Sequence, residues 1–213
     1  MLRHFCLAVF ITTLMPGEAG AGETMFPPEY ANLAFTCASS DSAGSNPVPL
    51  LSAGEQQWFS NNLHAAREPS LYDASLRAGA PQALRFTWLR SFHRPLTVRV
   101  TQEKNGAWRV IAKELSGKGG YNPGHIARTI NRQLRADETA ALKSLLAVVE
   151  LPDLSGDCVL GDELGVDGAQ WIIERTDERG YHFINRWSPS DGPVREVGLF
   201  LLRLTGWNYK PVY

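Results

Sequence analysis

The chain has 213 residues, of which 44% are hydrophobic, 10% aromatic and 20% charged. This composition excludes a mainly disordered protein and fits one medium-sized domain with a substantial core. Because 21 Lys and Arg residues are balanced by 22 Asp and Glu residues, no basic excess points to nucleic acid as a partner.

The first 21 residues have the pattern of a secretory signal peptide. Arg3 lies in a short basic start, and a mostly apolar run extends from Cys6 to Met15. Residues 19–21 are small, as a signal peptidase requires, so we expect cleavage after Ala21. The run is too short to cross a bilayer core about 30 Å thick. We therefore predict a periplasmic or secreted protein with a signal peptide at 1–21 and no membrane span after cleavage.

Two cysteines remain after this cleavage. An even pair in an exported chain is compatible with a disulfide between Cys37 and Cys158. Two separate thiols are the alternative, because a sequence does not show whether two Cα atoms come within bridging distance.

Residues 22–51 are rich in Gly, Ala, Ser and Pro. We interpret them as an extended leader into a single domain that spans 52–213. Ser52 and Glu55 have the spacing of a capping box, which predicts a helix that begins there and ends before Pro69. The apolar residues that follow at helical spacing are Trp58, Phe59, Leu63 and Ala66.

A β region is predicted next from the alternation of apolar and polar residues. It starts with a strand around residues 86–92. The strongest turn signal is Asn105-Gly106, which favours a type I′ hairpin with positive φ at both residues. This turn joins predicted strands at 96–103 and 107–115, and a further strand is predicted at 126–134.

The sequence pattern of the C-terminal half predicts two helices and a second hairpin. Residues 136–150 form an amphipathic helix with acidic residues in its first turn. Residues 193–205 form a helix that is apolar nearly all round and ends at Gly206. Between them, one register of the hairpin pairs Glu174 with His182, and a slip of one residue would change these neighbours. In that hairpin, the residues expected to share one face are Trp171, Ile173, Tyr181, Phe183 and Trp187. The fold class predicted is α+β, with an antiparallel sheet built from two or more hairpins and about three helices.

Several sequence phrases occur in order between residues 67 and 206. They are REPSLY at 67–72, FTWLRSFHRP at 86–95, KELSG at 113–117, GGY at 119–121, the helix phrase at 137–146, DGAQW at 167–171 and YHFINRWSP at 181–189. Together they resemble a family of uncharacterised bacterial proteins, and the last phrase is the most distinctive. This resemblance implies no activity and no site residue.

Familiar catalytic and cofactor motifs do not occur in the sequence. It contains no G-x-S-x-G elbow, no H-E-x-x-H or C-x-x-C pair and no EF-hand loop. The glycine-rich segment at 117–120 lacks the spacing of a Walker A loop. We therefore expect no metal and no cofactor.

Two groups of residues are candidates for a site. Arg90, His93 and Arg94 cluster at a predicted strand end, where guanidinium groups bind carboxylate or phosphate. The alternative is that these cations pair with acidic residues of a neighbouring loop. Glu174 beside His182 would raise the pKa of the imidazole and fix its tautomer, as a general base requires. The same pair would serve equally as a cross-strand contact that stabilises the sheet.

From these residues we predict a non-catalytic binding or interaction module of the bacterial cell envelope. Its partner is expected to be a protein or an anionic small ligand. The residues expected to contact it are Arg90, His93, Arg94, His182 and Arg186. The alternative is an envelope hydrolase that uses a Glu/His acid–base pair, with Glu174, His182 and His93 as the catalytic candidates.

Overall fold

A computed structural model describes residues 24–35, 48–120, 122–148 and 168–213. The predicted signal peptide, its cleavage site after Ala21, and both Cys37 and Cys158 lie outside these residues. No helix among the described residues is both long enough and apolar enough to cross a bilayer.

The secondary structure follows the predicted order closely. A 3-10 helix at Pro28–Ala31 is followed by the short strands β1 (Ala34–Phe35) and β2 (Val48–Pro49) and by helices α1 (Ala53–Ala65) and α2 (Leu71–Ser75). Strands β3 (Ala83–Arg90), β4 (Leu96–Gln102), β5 (Trp108–Leu115) and β6 (Ile126–Gln133) come next. Helix α3 (Ala136–Val148), strands β7 (Ala169–Asp177) and β8 (Gly180–Trp187) and helix α4 (Gly192–Thr205) complete the described chain.

Six of these strands form one antiparallel sheet in the order β6-β5-β4-β3-β7-β8. The predicted α+β class and both predicted hairpins, β4-β5 and β7-β8, are confirmed. Three described helices have 13 or 14 residues, which matches the predicted number, and the five-residue α2 is an additional one. The pairing of β3 with β7 joins the two hairpins into one sheet.

The turn of the first hairpin differs from the predicted type I′. Gly106 has a φ of 83°, whereas Asn105 is not among the residues with positive φ. The Gly106 N–H donates to the Glu103 carbonyl at 2.8 Å, and the Glu103 N–H donates to the Ala107 carbonyl at 2.7 Å. A longer loop with a single left-handed glycine also matches the twist of the strands, so the hairpin forms without the predicted turn.

The register of the second hairpin is shifted by one residue from the predicted one. Glu174 is opposite Phe183, and His182 is opposite Arg175. The shift arises because the strands continue to a tight turn, in which Asp177 pairs directly with Gly180. Since side chains alternate along a strand, Glu174 and His182 lie on opposite faces of the sheet. The predicted common face is wrong for the same reason.

One face of the sheet packs against α3 and α4. Its core contains Phe86, Trp88 and Trp171 from the central strands. Helix α4 is buried on most sides, as predicted, and Val197 and Leu201 are fully buried. The close approach requires Gly198, because a Cβ there would lie 2.4 Å from the Trp171 ring.

The other face packs against α1 and the N-terminal segment. The capping box of Ser52 and Glu55 is present and begins α1 as predicted. The buried apolar residues on this side are Met25, Phe26, Tyr30, Leu50, Leu51, Phe59, Leu63, Leu89, Ile172 and Phe183. Residues 24–35 and 48–51, which were predicted to form a leader, therefore include part of a core.

The C-terminal residues 207–213 fold back on the first face. The indole N–H groups of Trp88 and Trp171 donate to the main-chain oxygen of Tyr213 at 3.1 and 2.9 Å. Trp207 and Tyr209 pack against the same core. This C-terminal strip forms one wall of the site described next.

Candidate functional site

The predicted cluster of Arg90, His93 and Arg94 lies in a surface cleft of about 620 Å³. The cleft forms where the end of β3, the β5-β6 connection and the C-terminal strip meet. Among the described residues that line it, five Lys and Arg side chains accompany one carboxylate, that of Glu114. The cations are Arg90, Arg94, Lys118, Arg128 and Lys210. We call this site the basic cleft.

Arg90 is the most buried cation of the basic cleft, with 6% of its surface exposed. Its guanidinium carbon lies 4.3 Å from the centre of the Trp88 ring and 5.1 Å from that of Tyr209. Nη2 donates to the Arg94 carbonyl at 2.7 Å, while the buried Nε has no hydrogen-bond partner among the described residues. Burial lowers the pKa of this guanidinium. Two aromatic rings thus hold a cation whose hydrogen-bonding capacity is not used up by the protein.

Arg128 is held by the acidic residue of the cleft. Its Nε and Nη2 donate to the two carboxylate oxygens of Glu114 at 2.9 and 3.1 Å, and the guanidinium stacks 4.0 Å from the Trp207 ring centre. Nη1 of Arg94 lies 3.4 Å from the same carboxylate, although the Arg94 side chain is 56% exposed. Glu114 therefore fixes two guanidinium groups, in line with internal pairing, but leaves Arg90 without a carboxylate contact in the described part of the chain.

The glycine-rich loop positions the rim of the basic cleft and does not form a phosphate cradle. The N–H of Gly117 donates to the Pro123 carbonyl, that of Lys118 to Asn122 and that of Gly119 to His93, at 3.0, 2.8 and 3.0 Å. These three donors are therefore already used within the fold. The loop instead places the Lys118 side chain beside the cleft and anchors the main chain of His93.

A Ser–His contact on this rim was missed by the sequence analysis. Ser116 Oγ lies 3.1 Å from Nδ1 of His125, and it also accepts a hydrogen bond from the His125 main-chain N–H at 3.1 Å. No carboxylate among the described residues contacts this imidazole, so the described part of the chain does not supply the third group of a catalytic triad. The pair closes the connection between β5 and β6.

The second predicted site does not assemble as an acid–base pair. Glu174 is fully buried, and Arg85 donates to its two carboxylate oxygens through Nε and Nη2, both at 2.7 Å. The Tyr181 hydroxyl donates to Glu174 at 2.9 Å. On the other face, Nε2 of His182 lies 3.3 Å from the Asp177 carboxylate. Neither His182 nor Arg186 is among the residues that line the basic cleft.

Glu174 belongs instead to a buried ion cluster with four other charged side chains. The carboxylate of Glu68 lies 2.7 Å from Arg99 Nε and 2.7 Å from Lys113 Nζ. It also lies 3.9 Å from Arg85 Nη1. Burial alone would raise the pKa of Glu68. The nearby charges of Arg99 and Arg85 lower it instead. The sequence signal for this cluster is the presence of charged residues inside otherwise apolar strands, which usually mark paired buried charges.

With five cations around one carboxylate, the described lining of the basic cleft has an excess of positive charge, which attracts anions. Across the described residues, no group of three or more His, Cys, Asp and Glu side chains is arranged to hold a metal ion. Comparisons with models of protein families, with curated proteins and with solved structures found no match to this chain.

Proposed function

We propose that the protein is an exported, non-catalytic binding module that holds an organic anion in the basic cleft. Export rests on the signal-peptide pattern of residues 1–21. The binding role rests on the basic cleft, and above all on Arg90.

Arg90 carries the proposal because its position is costly for folding alone. A buried guanidinium loses its hydration, and a buried N–H without a partner adds a further penalty of about 1–3 kcal/mol. The cation–π contacts with Trp88 and Tyr209 offset part of this penalty. Glu114 acts on Arg90 only from a distance, so a carboxylate or phosphate of a ligand would supply the direct ion pair that Arg90 lacks among the described residues.

The exposed cations define how a ligand would be held above Arg90. The side chains of Arg94, Lys118 and Lys210 are exposed around the rim, and Arg94 also contacts Glu114 at 3.4 Å. The cleft volume of about 620 Å³ is much larger than a single inorganic ion needs. We therefore favour an organic molecule with one or more carboxylate or phosphate groups over an isolated ion.

Hydrolysis is supported less well. The predicted Glu174–His182 pair is not formed, and the Ser116–His125 contact lacks an orienting carboxylate in the described chain. In addition, Ser116 Oγ already accepts a hydrogen bond from the His125 main chain.

The experiment is calorimetric titration of the purified protein with citrate and, separately, with inorganic pyrophosphate. We expect at least one probe to bind, with an affinity that falls as salt is added, because exposed charges are screened. Charge reversal in Arg94→Glu and Lys118→Glu should each weaken binding about tenfold or more, a loss of about 1.4 kcal/mol.

The matched control is Lys143→Glu, which reverses an exposed charge on α3 outside the cleft. It makes the same change in net charge and should alter affinity less than about twofold. Equal losses in all three variants, or no binding of either probe at about 10 mM, would reject the proposal.

A further inference from the structure

A second depression lies between the 3-10 helix, α2 and the start of β8. It has a volume of about 430 Å³ and shares no lining residue with the basic cleft. The lining residues that matter are Glu29, Tyr30, Leu33, Tyr72, Leu76 and Tyr181. We call it the tyrosine pocket.

Three aromatic rings form the wall of this pocket. The ring centre of Tyr181 lies 6.4 Å from that of Tyr30 and 5.7 Å from that of Tyr72. Tyr181 is fixed by its hydrogen bond to the buried Glu174, and Tyr30 has only 4% of its surface exposed. The rings are thus held in place by the core, and the negative face of each carries the quadrupole that attracts cations.

Several aromatic rings on the face that packs against α3 and α4 are covered by the protein's own arginines. Arg90 lies over Trp88 and Tyr209, Arg128 over Trp207 and Arg195 over Trp171, at 4.0–5.5 Å. None of the described Lys and Arg side chains stands over the three tyrosines of the pocket.

The charges around the tyrosine pocket also favour a cation. Glu29 is its one lining carboxylate, and no Lys or Arg is among the described lining residues. Burial, followed by the charges of Glu29 and Glu174, raises the pKa of Tyr30. His182, the one histidine among the described lining residues, contacts the carboxylate of Asp177.

We propose that the tyrosine pocket binds an organic cation, a quaternary ammonium group that carries methyl groups. The ammonium would lie against the tyrosine rings near Glu29. Its methyl groups would contact Leu33 and Leu76, which are 43% and 68% exposed. This site is independent of the anion site proposed above, because it uses a different part of the sheet and the opposite charge.

The test compares choline with 3,3-dimethylbutan-1-ol, its neutral isostere, by calorimetric titration of the purified protein. We expect choline to bind at least about fivefold more tightly, because only the charged probe gains the interaction with the ring faces. Equal affinity for the two probes, or no binding of choline at about 50 mM, would reject the proposal.

Variants of Tyr72 separate recognition from folding. Tyr72 is half-buried, so its replacement is better tolerated than that of Tyr30. Tyr72→Ala should weaken choline binding about fivefold or more, whereas Tyr72→Phe should retain it, because the aromatic face remains. Arg94→Glu, in the basic cleft, should leave choline binding unchanged. A Tyr72→Ala variant that stays folded and binds choline normally would overturn the assignment.

Discussion

The guanidinium of Arg90 is buried between two aromatic rings, yet no carboxylate among the described residues contacts it. By contrast, the fully buried Arg85 is held by both oxygens of Glu174. The two residues lie five positions apart on β3 and therefore point to opposite faces of the sheet. On one face of the sheet, Arg85 is paired within the protein. On the other face, Arg90 has no such pair in the described part of the chain and is available to a ligand.

This contrast predicts that Arg90 is retained for binding and not for stability. In Arg90→Met, a flexible apolar side chain replaces the buried cation, so the desolvation penalty disappears together with the stacking on Trp88 and Tyr209. We expect the free energy of unfolding to change by no more than about 1 kcal/mol in either direction, because these terms oppose each other. Anion affinity should fall about tenfold or more.

Urea unfolding and titration with the anionic probe measure the two effects on the same sample. The comparison variant is Arg85→Met, which leaves Glu174 buried without its partner and should cost about 3–5 kcal/mol. If Arg90→Met destabilises the protein as much as Arg85→Met does, Arg90 has a structural role and its missing partner does not indicate a ligand.

At the scale of elements, the glycine-rich loop is fitted closely against the end of β3. A Cβ on Gly119 would lie 2.7 Å from the Arg90 amide nitrogen and 2.8 Å from its carbonyl oxygen, both of which are backbone atoms. The loop is further fixed by the Trp58 indole, which donates to the Gly119 carbonyl at 2.6 Å. The loop therefore sets the position of the floor of the basic cleft.

Gly119→Ala should displace this loop and the end of β3 from each other. We expect it to lower the free energy of unfolding by about 1–3 kcal/mol and to weaken anion binding, because the Arg90 backbone must move. The matched control is Gly54→Ala in α1, where a Cβ would meet no atom within 4 Å. That change should stabilise the protein by about 0.5–1 kcal/mol and leave binding unchanged. Chemical denaturation of both variants measures these changes in stability. Normal stability of Gly119→Ala would contradict the close fit of the loop against the end of β3.

The elements also show which features are local enough to be predicted. The capping box of Ser52, the first hairpin and α4 follow from spacing and alternation within short segments. The register of β7 and β8 does not, because both faces of these strands carry apolar residues and a shift of one residue leaves an equally plausible pattern. The pairing of β3 with β7 depends on contacts between distant segments, which a single sequence does not reveal.

The same distinction applies to the candidate site. Arg90, His93 and Arg94 are neighbours in sequence, so their shared location was predictable. Arg128 and Lys210 reach the cleft from β6 and from the C-terminal strip, and only the folded chain brings them there. The Glu174–His182 prediction was wrong because it depended on the register.

At the scale of the whole molecule, the central sheet separates two apolar cores and places the buried ion cluster on the side of α1. The carboxyl groups whose pKa is lowered among the described residues are Glu68, Glu103, Asp137, Glu138 and Asp177. Glu68 is the most buried of them, with 5% of its surface exposed. Its charge is therefore the one most closely linked to the fold.

These lowered pKa values predict that the protein loses stability in acid. The folded chain holds Glu68 ionised at a pH where the unfolded chain, with an ordinary pKa of 4.5, already binds a proton. The contribution is therefore complete above pH 4.5 and is lost as the pH falls through the lower pKa of the folded state. The melting temperature should be level near neutral pH and decline below about pH 5.

Glu68→Gln tests whether the buried cluster causes this decline. The variant should be less stable at pH 7, because Arg99 and Lys113 lose their counter-charge, but its melting temperature should fall less steeply in acid. Glu196→Gln, at an exposed position of α4, is the control and should keep the slope of the unaltered protein. Thermal unfolding between pH 7 and pH 3 measures all three slopes. If the melting temperatures of Glu68→Gln and the unaltered protein fall in parallel, acid acts through the exposed carboxylates. If the melting temperature of Glu68→Gln falls less steeply, acid acts through the buried ion cluster.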